Sequence, residues 1–165
     1  MQLFVLDYDP ERSAAALCNK HLRKMCLETA QILSAVICRQ GKISDPALPK
    51  PYNLRHPVIC AIDNPVTINY AVLYNLALHR EYFFRFSKNH IYAALSGIYY
   101  HTLFENKASS EHSQLTFCRS FSGIEIAEND LVEAYRIYYR FKKTLIRDWH
   151  YTRSREPEWL KLQAN

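Results

Sequence analysis

The chain has 165 residues, 48% hydrophobic and 22% charged, with a formal net charge of +5. That balance is globular and of one-domain length, which argues against a disordered body and leaves little room for a second domain. Only 3 glycines are present, too few for a glycine-rich phosphate cradle and poor material for an all-β barrel or sandwich with its many tight turns.

Residues 3–6, Leu-Phe-Val-Leu, can form one short strand that ends at Asp7-Tyr8-Asp9-Pro10. Asp9 and Pro10 then have the N-cap and first-turn form of a helix start. The helical pattern runs from there to about Cys38, with Cys18, Leu22, Met25, Thr29, Ile32, Leu33 and Val36 on one arc and Gly41 as the stop. Residues 45–57 form a proline-rich loop whose end is basic, at Lys50, Arg55 and His56. Asn64-Pro65 opens a second long helix with Val66, Tyr70, Leu73, Leu76, Ala77 and Phe83 as its apolar positions. A break near Ser87 precedes a third helix over 89–104, and residues 105–127 read as a surface excursion. Asp130-Leu-Val-Glu133 has capping-box form and starts a fourth helix that runs to about Trp149. Residues 150–165 are a basic tail. The expected fold is mainly α: a single compact helical domain of about four helices over residues 1–165, with the N-terminal strand as an added element.

The five cysteines, Cys18, Cys26, Cys38, Cys60 and Cys118, are odd in number and include no CxxC pair. That speaks against a disulfide framework or a structural zinc site. Buried free thiols in a reducing cytosol follow, with Cys18 and Cys26 as inert packing on the apolar side of the first helix. No metal and no cofactor is expected. No apolar run approaches the roughly 20 residues of a membrane span, and Met1–Asp7 has neither the basic region nor the length of a signal peptide. The composition therefore predicts a soluble cytosolic protein with no membrane partner.

Three constellations carry chemistry. His21, Lys24 and Glu28 stand on one face of the first helix, at the edge of its apolar arc. A carboxylate at a core margin is partly desolvated, which suits it to proton transfer, and a lysine beside it is an electrostatic partner or an amine nucleophile. On the fourth helix Arg136, Arg140, Lys143 and Arg147 make a straight basic stripe, opposite Leu131, Ala134, Tyr138, Leu145 and Trp149. Residues 135–155 carry seven basic residues against Asp148 alone, a stripe suited to phosphates. His79, Arg80, Glu81, Tyr82, Arg85, Lys88 and His90 interleave bases with aromatics, as surfaces that stack nucleotides do. Each also has a plainer reading, as a solvated helix face or a helix end whose basic residues favour the dipole.

The segment from Leu17 to Gln31, L-C-N-K-H-L-R-K-M-C-L-E-T-A-Q, resembles the first-helix motif D-K-H-x-x-K-M-x-x-E-x-x-Q of a group of small phage proteins that open on a short strand. Asn19 stands where they usually carry Asp. His56-Pro57 resembles a further His-Pro step of that group. Glu81-Tyr82, Arg85, Lys88 and His90 match an E-Y-x-x-R-Y-G-K-x-H string, with Phe86 and Ser87 replacing Tyr and Gly. Tyr135, Tyr138, Tyr139, Lys142, Trp149 and Pro157-Glu158-Trp159 extend the likeness over most of the chain.

More distantly, the chain is similar to the phage pyrimidine-dimer DNA glycosylases of endonuclease V type. These are small, basic, all-helical enzymes whose first helix carries a His followed seven residues later by the catalytic Glu, the separation of His21 and Glu28. The resemblance implies that Glu28 is the catalytic carboxylate and that His21 and Lys24 line the site. It implies that Lys20, Arg55, His56, Tyr82, Arg85, Lys88, His90, Arg136, Arg140, Lys143 and Arg147 hold a bent duplex. It also implies a free N-terminal α-amine, here that of Met1, which attacks the sugar C1′ and forms a Schiff base that permits strand cleavage. Gln2 is a large side chain of the kind that keeps Met1 in place, and the strand over Leu3–Leu6 lengthens the path from the chain start to the first helix. Three functions stay open at this level: a glycosylase and lyase on damaged or modified bases of duplex DNA, a non-catalytic phage-derived DNA- or nucleotide-binding or inhibitor protein, and an enzyme acting on free nucleotides.

Overall fold

The computed structural model describes residues 2–42, 46–51, 53–104, 115–119 and 121–161. Their regular structure is α1 (Pro10–Ala15), α2 (Asn19–Arg39), α3 (Pro57–Cys60), α4 (Pro65–Phe86), a 3-10 turn (Ala93–Leu95) leading into α5 (Ser96–Leu103), α6 (Leu131–Leu145) and α7 (Glu158–Lys161). Among the described residues there is no strand. α4 is the centre, packed by α1, α2 and α5, and α2 also meets α3 and α5.

The helix starts follow the sequence. Asp9, Asn64 and Asp130 accept from the backbone N–H groups of Glu11, Thr67 and Glu133, and Pro10 and Pro65 occupy the first turn. Two stops do as well. Gly41 takes a φ of 64°, and Ser87 ends α4 in the left-handed region at a φ of 53°. The arc predicted for the first helix is buried at every position from Cys18 to Val36.

The expected single first helix is divided, because the chain turns between Ala15 and Asn19. Arg85, at 1% exposure, lies against this corner. It donates to the carbonyls of Ala15 at 2.8 Å and Leu17 at 2.6 Å, to Asn19 Oδ1 at 3.2 Å and to Glu81 Oε1 at 2.6 Å. Carbonyls that a continuous helix would use internally are thereby satisfied from another element. Asn19, the departure from the usual Asp, also bonds Thr152 through both its amide atoms.

The residues expected to form a strand are extended and sealed in the core. Leu3, Val5 and Leu6 are 0% exposed and Phe4 3%. Side chains replace a neighbouring strand. Leu6 N–H donates to Ser13 Oγ at 2.9 Å, Ser13 Oγ donates to Phe4 O at 3.0 Å, and Arg136 Nε donates to Leu6 O at 2.9 Å.

Five other expectations change. The helix over 89–104 is regular only from Ala93. The fourth helix stops at Leu145, so Trp149 folds back to pack on Tyr139. Leu73 and Phe83 are exposed, because α4 is buried on more than one side and takes Thr67, Asn75 and His79 inward instead, and Leu145 is exposed at the end of α6. The excursion at 105–127 lies partly outside the described residues. Its described part is anchored, with Phe117 buried and Cys118 O accepting from Tyr135 Oη at 2.6 Å. The tail docks too: Tyr151 Oη donates to Ala16 O at 3.0 Å, Leu160 is buried, and Glu156 pairs with Lys143 at 2.5 Å.

Arg85→Met is expected to destabilise the protein by about 3–5 kcal/mol in urea unfolding, because Glu81 and the corner carbonyls are left buried without their donor. A loss below about 1 kcal/mol would show that the corner stands without it.

Candidate active site

The N-terminal segment, α2, the start of α3 and the end of α6 enclose a cleft of about 510 Å³. Glu28 lies on its floor at 8% exposure. Helical periodicity puts Lys24 one turn before it, and the Lys24 Nζ to Glu28 Oε1 distance is 3.3 Å. The other carboxylate oxygen, Oε2, accepts from the backbone N–H of Gln2 at 3.2 Å. The sequence predicts that residues 3–6 lengthen the path from the chain start to the first helix, and burial of Leu3–Leu6 brings Gln2 back to Glu28 along it. Met1 lies outside the described residues.

His21 sits one face-turn from Lys24 and is 8% exposed. Its ring lies among Phe4, Tyr139 and Trp149, at centroid distances of 4.8, 5.1 and 5.5 Å. Burial, and then the positive charges of Lys24, Lys142 and Lys20, hold its pKa down to about 4. His21 is therefore a neutral imidazole near neutral pH. Its Nδ1 has no hydrogen-bond partner.

His56 completes the near wall. Its Nδ1 accepts from Val58 N–H at 3.2 Å and caps α3, which fixes the ring. Burial lowers its pKa, and the Glu28 carboxylate opposes that shift. Lys20, Lys24 and Lys142 give the cleft a positive lining around one carboxylate, and Phe4, Met25, Val58 and Tyr138 give it an apolar wall. Lys142 Nζ lies 4.9 Å from the centre of the Tyr138 ring.

Of the residues singled out from sequence, the cleft gathers Glu28, His21, Lys24, Lys20 and His56. Arg55 is exposed next to His56. The segment from Tyr82 to His90 is elsewhere. Tyr82 is 8% exposed and Arg85 is committed to the α1–α2 corner, so neither is open to a ligand. Lys88 is exposed away from the cleft, and His90 packs on His79 and Tyr82. The basic stripe of α6 is not an open face. Arg136 bonds Leu6 O and pairs with Asp7 at 3.4 Å. Arg140 pairs with Glu133 at 2.6 Å and donates to Trp159 O at 3.1 Å. Lys143 holds Glu156, and Arg147 alone of the four is exposed. The expectation that Arg140 and Lys143 lie on a solvent face apart from packing is thus corrected: they fasten the tail to α6.

The cleft also contains Gln2, Phe4 and Lys142, which the helix patterns did not mark, and Tyr138, which the pattern of the fourth helix placed only in its core-facing row. Lys142 and Tyr138 lie one turn apart, and both belong to the Tyr135–Trp149 string, the signal that was available for them.

Residues 1–121 match the pyrimidine dimer DNA glycosylase family. The chain belongs to that family. No curated protein and no solved structure matches the chain. The family match spans the N-terminal segment, α2 and α3 of the cleft, while its α6 wall lies beyond it. None of the helices among the described residues is long and apolar enough to cross a membrane.

The pH dependence of stability follows from His21. Its folded pKa, about 4, lies below the unfolded value of 6.5, so the unfolded chain takes up the proton first. The stability it contributes is complete above about pH 6.5 and is lost as pH falls towards 4, on the order of 3 kcal/mol at most. His21→Phe, which carries no proton, is expected to show a shallower fall in unfolding free energy between pH 7 and 4.5 than the parent. Equal slopes would place the acid sensitivity elsewhere.

Proposed function

We propose that this member of the family is a DNA glycosylase with associated lyase chemistry, acting on damaged or modified bases of duplex DNA through Glu28. The observation that carries this reading is the contact of Gln2 N with Glu28 Oε2 at 3.2 Å, inside a cleft of nucleotide size lined by three lysines. A glycosidic bond is broken most readily when a nucleophile attacks C1′ while a fixed charge stabilises the cation that forms. A main-chain amine at the start of the chain supplies the first and Glu28 the second.

In this reading the target nucleotide leaves the stack and enters the cleft against Phe4 and Tyr138. The amine forms a bond to C1′ as the C1′–base bond breaks, and the base departs with the bonding electrons. Glu28 takes the proton that the amine sheds and returns it to O4′ as the C1′–O4′ bond breaks, so that the opened sugar carries a hydroxyl at C4′ and a protonated Schiff base at C1′. Loss of a C2′ proton then expels the 3′ phosphate and cuts the strand. Lys20 and Lys142 hold flanking phosphates, with Arg55 and Arg147 as exposed outer contacts. Neutral His21 offers a hydrogen bond without adding charge beside the forming cation. The amine is that of Met1, which the large Gln2 side chain keeps in place. Lys24, at 3.3 Å from Glu28 and 61% exposed in its side chain, is the alternative amine.

Borohydride reduction during incubation with ultraviolet-irradiated duplex DNA is expected to leave a covalent protein–DNA adduct, and peptide mapping identifies the amine. Glu28→Gln should abolish turnover with binding within a few-fold of the parent, since the amide keeps the shape but accepts no proton. Absence of an adduct with salt-sensitive duplex binding would replace this reading by a non-catalytic binder. Absence of an adduct with tight mononucleotide binding would replace it by an enzyme on free nucleotides.

The lysine assignment has its own check. Replacing Lys20 and Lys142 by Ala should flatten the log–log salt dependence of duplex affinity by roughly 2, at about 0.9 for each phosphate that a lysine no longer neutralises. An unchanged slope would remove both lysines from the DNA interface.

A further inference from the structure

Behind α2, on the side away from the cleft, three side chains from distant parts of the sequence meet. Cys26 of α2, His79 of α4 and His90 of the turn after α4 bring one ligand atom each within 4.8 Å of one another. His79 is 8% exposed, and neither of its ring nitrogens has a hydrogen-bond partner. A buried imidazole with both nitrogens unanswered loses its hydration without return, so the arrangement is incomplete as it stands. The other two members are held only loosely. Cys26 Sγ donates to Leu78 O at 3.8 Å, and His90 Nδ1 accepts from Tyr92 N–H at 3.3 Å.

We propose that Cys26, His79 and His90 bind a zinc-class divalent cation, with a solvent molecule as fourth ligand, and that this ion clamps α2 to α4 and to the turn that follows α4. One thiolate and two imidazoles suit zinc or cobalt, whereas magnesium and calcium require oxygen ligands. A tetrahedral zinc holds sulfur and nitrogen ligands about 3.5 Å apart, so the three atoms close by about 1.3 Å at most. Burial keeps both imidazoles neutral, His79 down to about 4, which leaves lone pairs for the ion at neutral pH. On binding, the Cys26 thiol releases its proton to solvent and the S–H contact to Leu78 is exchanged for the metal bond. His79 also borders a surface cavity of about 360 Å³, together with Asn89 and Ser96.

The clamp bears on the cleft by geometry. Successive positions on a helix are about 100° apart, so Cys26 points away from both Lys24 and Glu28. An ion on Cys26 fixes the back of the turn whose front carries the carboxylate. Its role is structural, and it takes no part in the chemistry proposed at Glu28.

The test uses the full chain, stripped with a chelator and titrated with cobalt(II). One equivalent is expected to give an intense near-ultraviolet thiolate-to-cobalt band together with visible bands of tetrahedral strength. Zinc should displace the cobalt stoichiometrically and raise the melting temperature. Cys26→Ser should remove the near-ultraviolet band. His90→Gln, at a more exposed position, should weaken zinc binding at least about tenfold in a chelator competition while the apo melting temperature stays near that of the parent. Failure to bind one equivalent of either metal would overturn the site. So would a cobalt band that survives Cys26→Ser, since the metal would then sit on another of the cysteines. Neither result depends on DNA cleavage.

Discussion

The chain begins with an apolar segment that has no partner strand, and much else follows from where its backbone polar groups go. Leu3–Leu6 is buried too deeply for water to reach it. Each backbone group left unpaired there would cost on the order of 1–3 kcal/mol. Ser13 answers Leu6 N–H and Phe4 O, Arg136 answers Leu6 O, and the Glu28 carboxylate answers the N–H of Gln2. One constraint thus ties α1, α2 and α6 to the same stretch of chain. It also sets the only buried carboxylate among the described residues beside the path of the chain start.

The electrostatics of the cleft follow from the same packing. The aromatic rings that seal the N-terminal segment, Phe4 and Tyr139 with Trp149, also surround His21 and remove its charge. Three lysines remain around Glu28, so the cleft attracts an anionic ligand and still presents one negative group at its floor. That contrast is what a reaction passing through a cation in a phosphate-rich substrate needs. Arg85 supports it from a distance, since the α1–α2 corner it satisfies is where the helix bearing His21, Lys24 and Glu28 starts.

The basic stripe of α6 shows how charge in sequence and charge on a surface differ. Arg136, Arg140 and Lys143 do fall on one side of the helix, as their spacing requires, and Arg147 lies beyond its end at Leu145. The tail and the N-terminal segment then return across that side with Asp7, Glu156 and the Trp159 carbonyl, and three of the four are engaged by them. A helical wheel sees only its own helix, and acids brought in from the two ends of the chain are invisible to it. The charge that α6 contributes to the cleft is Lys142, on a neighbouring row, beside the Tyr138 ring.

Local rules were enough for the helix starts, the stops at Gly41 and Ser87, the buried arc of α2 and the shared face of His21, Lys24 and Glu28, because each rests on residues within a few turns of one another. The family was legible for the same reason, since the His21–Glu28 separation on which the resemblance rests lies within one helix. What lay beyond local reach was decided by contacts between segments far apart in sequence. The division of the first helix depends on Arg85, the seat of Gln2 on the burial of its neighbours, and the meeting of Cys26, His79 and His90 on the packing of α2 against α4. Propensity and periodicity describe how a segment folds on itself. Which unsatisfied polar group finds which partner is settled only when the segments close over a common core.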